Sequence, residues 1–171
     1  MKPMYEIRYA NTGDAGTLGR ILSRSWRAAY KGIVPDSVLN GMTPEKTGER
    51  LKESFLHGFE GAALIFADGE AAGLMCIGGC RDEDMDGSVG EIWGMYLLPA
   101  YWNRGIGSYF MDWALGELKA RRYEKAVLWV LSDNLNARRF YEKRGFRRDG
   151  TVKRVTIGRE LEECRYEKRL K

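Results

Sequence analysis

Pro99-Ala-Tyr-Trp-Asn-Arg-Gly-Ile-Gly-Ser108 is the stretch on which the fold turns. An apolar run, Glu91-Ile-Trp-Gly-Met-Tyr-Leu-Leu98, leads into it like a strand, and a helical pattern, Phe110-Met-Asp-Trp-Ala-Leu-Gly-Glu-Leu118, leads out. Gly105 and Gly107 remove side-chain bulk where strand gives way to helix. The first amides of a helix lack intrahelical partners and point outward together, so such a turn attracts an anion. The segment therefore predicts a phosphate cradle built from backbone, with Asn103, Arg104, Gly105, Ile106, Gly107 and Ser108 around it. Two commoner phosphate sites do not fit. A dinucleotide turn needs G-x-G-x-x-G, and Phe110 stands at its third glycine; the pattern G-x-x-x-x-G-K-[ST] occurs nowhere.

Downstream lies Asn134-Leu-Asn-Ala-Arg-Arg-Phe-Tyr-Glu-Lys-Arg-Gly-Phe146. Ala137, Phe140 and Tyr141 share one helical face, Asn134 is placed to cap the helix start, and Gly145 suits a left-handed C-terminus with Phe146 folding back behind it. Taken alone, this is a capped amphipathic helix. Taken with the Gly-rich turn, it resembles the second signature of the GNAT superfamily of N-acetyltransferases.

The resemblance rests on Trp102-Asn-Arg-Gly-Ile-Gly107, similar to the family's [QR]-x-x-G-x-[GA] pyrophosphate loop, and on Asn134-x-x-Ala-x-x-Phe-Tyr-x-x-x-Gly-Phe146. The ending, Asp149-Gly-Thr-Val152 through Glu163-Cys-Arg-Tyr-Glu-Lys-Arg-Leu170, looks like the last two family strands. One departure is plain: Trp102 stands where the family carries Gln or Arg. The resemblance implies acetyl-CoA as co-substrate and an amine as acceptor, either a small molecule or a peptide or protein. It assigns the backbone of Met95, Tyr96 and Leu97 to the oxyanion and the pantetheine arm, and it sets Asn134 and Ala137 beside that arm. Tyr141 is then the general acid for the leaving thiolate, since a phenol with a pKa of about 10 is protonated at neutral pH; its bland alternative is a core tyrosine. Glu91 is the candidate base, or else a carboxylate that only orients the acceptor's ammonium or faces solvent. Trp26, Tyr30, Phe55 and Phe59 are expected to border the acceptor pocket, with ordinary core packing as the alternative.

The rest of the chain reads as one unit over residues 1–171, with no internal repeat. Its 44% hydrophobic residues are enough to fill one core. Tyr5–Tyr9 alternates like a strand, and Thr12 or Asp14 can cap a helix carrying Leu18, Leu22, Trp26 and Tyr30. Gly32 and Pro35 stop that helix, and Pro44 opens the next. Strands follow near 63–67 and 71–78, joined by Asp68-Gly69 as a hairpin turn. Lys125–Leu131 is a buried-looking strand. The expectation is a mixed α/β GNAT fold: a mostly antiparallel sheet of about seven strands, splayed between 89–98 and 125–131 and flanked by about four helices.

Several other classes are disfavoured. The three cysteines fit no zinc spacing or disulfide framework, so no metal is expected. The only histidine, His57, has no partnered Ser or Cys nucleophile in view, which points to direct attack by the amine. Net charge is +4, with basic and acidic residues interleaved. The cluster Arg138, Arg139, Lys143, Arg144, Arg147 and Arg148 reads mainly as a solvated face, with contact of one or two of them to the CoA 3′-phosphate, or phosphate contacts to nucleic acid, as functional alternatives; no nucleic acid is expected. Arg81-Asp-Glu-Asp-Met-Asp-Gly87 reads as a solvated hairpin tip, with steering of a cation as its functional alternative. No apolar run is long enough to span a bilayer and the start carries no signal-peptide pattern, so the cytoplasm is the expected compartment. The rival functions are a CoA-binding module without turnover and, more weakly, a nucleic-acid binder; a homodimer stays open.

Overall fold

The computed structural model describes residues 1–56 and 61–171, with the backbone alone at 54–56. Seven strands form one sheet in the order β1-β2-β3-β4-β5-β7-β6. They are β1 Tyr5–Tyr9, β2 Ala62–Ala67, β3 Glu70–Gly79, β4 Val89–Leu97, β5 Lys125–Leu131, β6 Arg147–Thr156 and β7 Glu160–Arg169. The helices are α1 Ala15–Ala29, α2 Asp36–Gly41, α3 Pro44–Leu56, α4 Ile106–Ala120 and α5 Leu135–Lys143. The short α2 is one helix more than the sequence pattern suggests. Six residues make too few turns for a periodicity to register, and Pro35, expected only to stop α1, occupies the position just before its first turn. At the other end of α1, neither Thr12 nor Asp14 caps by side chain. A 3-10 turn at Thr12–Asp14 is inserted, with Asn11 as its cap and Asp14 closing a capping box.

All strand pairs are antiparallel except β4 and β5, which α4 connects as a crossover. On one sheet face, Ile106, Phe110, Met111, Ala114 and Leu118 of α4 pack with Ile65, Met75, Ile92, Leu128, Val130, Phe146 and Tyr166. On the other, Leu18 and Ile21 of α1 cover Leu64 and Leu74. A third cluster joins Trp26 and Tyr30 to Val34, Leu39, Leu131 and Leu161, tying α1 and α2 to the β6–β7 hairpin. Burial of these aliphatic side chains, roughly 1.5–3 kcal/mol each when complete, is the main term that holds the layers together.

Two predicted turns form for the reasons their residues suggest. Asp68 and Gly69 both take positive φ, 48° and 85°, as a two-residue hairpin between right-twisted strands requires. Gly145 ends α5 at φ 88°; the Phe146 amide bonds the Tyr141 carbonyl, and Phe146 is buried. Among the described residues, no helix is long and apolar enough to cross a membrane.

Candidate active site

The parallel pairing of β4 with β5 runs only from Val89–Lys125 to Ile92–Leu128. Beyond Ile92, β4 keeps its β3 partner, while β5 continues against β7. A register shift opposite Cys76/Ile77 leaves Trp93 as an extra residue in β4, a bulge that re-aims the strand where the two part. The result is a wedge-shaped gap inside the sheet.

Hydrogen-bond alternation decides which backbone groups look into that gap. The Leu98 amide bonds Ala72 of β3, so Tyr96, two residues back, also turns its backbone toward β3, opposite Leu74. Met95 and Leu97 turn theirs away from β3, into the gap. This corrects the expectation for Tyr96, whose main chain is committed to β3. The Leu97 carbonyl accepts a 2.9 Å hydrogen bond from the Trp102 indole. The aromatic residue at the motif's usual Gln or Arg position therefore locks the cradle loop onto the end of β4.

At the mouth of the gap, the Trp102 amide bonds Pro99 and the Tyr109 amide bonds Gly105, while the amides of 103–108 have no backbone partner among the described residues. Gly105 caps α4 at φ 83° and Asn103 is left-handed at φ 59°, so the loop curls around its own N–H groups. A Cβ at Gly107 would stand 3.3–3.4 Å from Leu97, Met95 and Phe140, which makes this helix start a close-packed wall of the gap. Six free amides at a helix N-terminus, continued by gap-facing backbone groups at Met95 and by the Leu97 amide, fit a diphosphate with an amide-bearing tail.

Tyr141 stands on α5 and contacts the α4-side cluster, with ring centroids 6.1 Å from Phe146 and 6.5 Å from Tyr166. Burial raises its pKa, and Tyr96 raises it further. Tyr30 in turn is raised by burial and by the neighbouring Tyr96, Tyr141 and Glu163. Tyr30 and Tyr96 belong to the opposite face of the sheet, and the gap between β4 and β5 is the opening through which Tyr141 faces them. Trp26 completes the group, its ring 4.9 Å from Tyr30 and 6.4 Å from Tyr96. Trp26 and Tyr30 are thus both core residues and neighbours of the gap. The Phe55 side chain and all of Phe59, expected to join them, lie outside the described residues, as does His57.

Glu91 is 1% exposed, on the last stretch of β4 before the gap. One carboxylate oxygen accepts a 2.7 Å bond from Arg81 Nε, and the other is buried without a partner. Burial raises the Glu91 pKa, and the Arg81 guanidinium opposes that. Arg81 lies over the Trp93 ring at 4.3 Å. Asn134 caps α5, accepting from the Ala137 amide at 3.3 Å, and so performs the structural role open to it. Arg138 and Arg144 of the basic cluster are also structural, bonding Tyr166 with Ser132 and Asp112 respectively.

The acidic segment 82–86 is not a free tip. Arg165 of β7, its side chain 4% exposed, bonds Asp82, Asp84, Asp149 and Thr151 through all three guanidinium nitrogens. Asp82 also accepts from the Trp129 indole. The loop is thereby folded over the sheet face opposite α4, beside Glu91. Strand alternation marks Trp129, Glu163 and Arg165 as one face, since Leu128, Val130, Cys164 and Tyr166 take the other. Sequence reasoning missed this face because its contacts join separate strands and a loop across sequence separations of 14 to 83 residues.

Fold and geometry define the class: a mixed α/β protein whose sheet is split beside a backbone anion cradle. Residues 24–146 match the model of the acetyltransferase (GNAT) family, and the chain belongs to that family. An uncharacterized N-acetyltransferase of Lactobacillus delbrueckii subsp. lactis is 36% identical over 89 residues, 50% of each chain. The chain thus spans about half the length of that relative. The PaiA N-acetyltransferase of Thermoplasma acidophilum, crystallised in complex with coenzyme A, superposes with a TM-score of 0.74 at 23% identity, covering 97% of this chain and 99% of that one. YncA of Salmonella typhimurium, solved with acetyl-CoA as its cofactor, gives 0.70 at 20% identity, covering 98% and 94%.

Proposed function

We propose that this chain transfers the acetyl group of acetyl-CoA to a primary amine of a small molecule, peptide or protein by direct attack of that amine. One observation carries the reading: the sheet opens at Ile92–Leu128, with unpartnered amides at its mouth and Tyr141 beside it. The amides of 103–108 would hold the diphosphate, and the backbone of Met95 and Leu97 would pair with the pantetheine arm as a missing strand does. Bound in this way, acetyl-CoA supplies an activated acetyl group as its thioester.

The chain's own groups then have separable tasks. The amide of Met95 lies on the gap side of β4, where it can donate to the carbonyl oxygen as negative charge develops there. Glu91 takes a proton from the acceptor's ammonium, directly or through water, on the carboxylate oxygen that Arg81 leaves free. Tyr141, kept protonated by burial, gives its proton to the departing sulfur. Trp26, Tyr30 and Tyr96 wall the acceptor's side of the gap and exclude water from it.

The test is release of free thiol from acetyl-CoA in the presence of a panel of amines and N-terminal peptides. Amine-dependent thiol release is the expected result. Tight binding of acetyl-CoA with no turnover on any acceptor would leave a CoA-binding module instead.

A further inference from the structure

We propose that Lys153 is itself an acetyl acceptor, so that the protein modifies its own Lys153 Nζ when acetyl-CoA is present; this rests on the transferase reading above. Trp129 is the first residue of β5 beyond the last β4 pair, and its side chain lies on the sheet face opposite α4. Lys153 reaches across from β6, where it pairs with Glu163 of β7, itself opposite Leu131 of β5. Its ammonium lies 4.1 Å from the centre of the Trp129 ring and 3.7 Å from the Glu163 carboxylate. It is close enough for its charge to act on Glu91. A primary amine is therefore tethered at the split in the sheet, over an aromatic floor and beside the Glu163 carboxylate. The side chain is 43% exposed, so it can leave its ion pair and move.

The other lysines of β5 and β7 are held elsewhere. Lys125 bonds Glu167, and Lys168 bonds the Arg144 carbonyl, both toward the opposite end of the sheet. Tethering matters because a reacting group held nearby gains a large effective concentration over one arriving from solution.

The step balances with the groups already described. The Lys153 ammonium loses one proton to Glu91. The neutral Nζ forms a C–N bond to the thioester carbonyl carbon, and the C–S bond breaks with its electron pair on sulfur. Tyr141 protonates that sulfur, and the attacking nitrogen sheds its second proton to solvent as Tyr141 is reprotonated. The products are an Nζ-acetylated lysine and free CoA thiol, with no oxidant or further reactant. Once acetylated, Lys153 no longer neutralises Glu163 or offers a cation to the Trp129 ring.

The test incubates the full chain with acetyl-CoA and no added amine, followed by intact mass and peptide mapping. One acetyl group on Lys153 is expected, formed at a fractional rate independent of protein concentration. The modification should be absent from Lys153→Arg and slowed at least about tenfold in Tyr141→Phe. Lys153→Arg should still turn over any amine that the wild type accepts, which shows that it folds. Lys153 left unmodified, modified equally fast in Tyr141→Phe, or modified at a rate that climbs with protein concentration would each overturn the proposal. If amines are turned over while Lys153 stays unmodified, self-acetylation alone falls; if neither reaction occurs, the transferase reading falls with it.

Discussion

At Glu91 two influences oppose each other across a 2.7 Å contact: burial raises the carboxyl's pKa, and the Arg81 guanidinium pulls it down. A base works only when ionised, so the acidic limb of kcat/KM should follow this balance. Arg81→Gln removes the lowering influence and should move that limb to higher pH, with less effect on the rate at alkaline pH. A limb that stays in place, or shifts to lower pH, would remove Glu91 from proton transfer. Tyr141 is simpler, because burial and the nearby Tyr96 both raise its pKa and it stays a proton donor throughout the neutral range. Tyr141→Phe keeps the ring that packs on Phe146 and deletes only the hydroxyl. It should lower kcat by about 100-fold or more with acetyl-CoA affinity nearly unchanged, as measured by steady-state kinetics and calorimetry. Equal losses in both would mark the residue as packing.

On the proposed reading, donor binding depends on the start of α4. Gly107→Val places branched carbons against Leu97, Met95 and Phe140, so either α4 moves outward or the gap narrows. Affinity for acetyl-CoA, measured by calorimetry, should fall at least about tenfold, which corresponds to about 1.4 kcal/mol, while circular dichroism stays helical. How far sequence could foretell this element is instructive. The glycines and the strand–helix switch around them were legible, because local sterics dictate them. The Trp102–Leu97 hydrogen bond was not, because a lone tryptophan at an unusual motif position carries no periodicity. Nor was the split of Tyr96 from Met95 and Leu97. Which backbone groups face the gap depends on the β3 register and on the bulge at Trp93, and neither has a signal in the β4 residues themselves. The same limit hid the Glu91–Arg81 pair and the face around Trp129, whose partners come from β6, β7 and the 80–88 loop. Local structure was readable; contacts between distant strands were not.

Across the whole molecule, Arg165 of β7 pins the 80–88 loop to the β6–β7 hairpin, binding Asp82 and Asp84 of that loop and Asp149 at the β6 bulge. Removing it strands Asp82 and Asp149, which are 15% and 11% exposed, without their cation, so Arg165→Met should cost about 3 kcal/mol in urea unfolding at neutral pH. Arg165 lowers the Asp84 pKa, and a carboxyl lowered on folding contributes stability that is present above its unfolded value and lost as pH falls through its folded value. The difference between wild type and variant should therefore shrink as pH drops through the carboxylate range. A gap that is constant or widens in acid would mean the loss comes from packing.

β4 beyond Ile92 has a neighbour on one side only. A strand with one open flank inside a folded sheet leaves its outward amide protons unprotected. Those of Met95 and Leu97 should accordingly trade hydrogen for deuterium quickly in the free protein and slowly once acetyl-CoA fills the opening. Any ligand that supplies the missing neighbour adds its binding energy to the fold, so the melting midpoint should climb with ligand concentration, by about 2.7 kcal/mol of added stability at a hundredfold excess over Kd. On the proposed reading, the acetyl-CoA concentration would then set how firmly this sheet holds together.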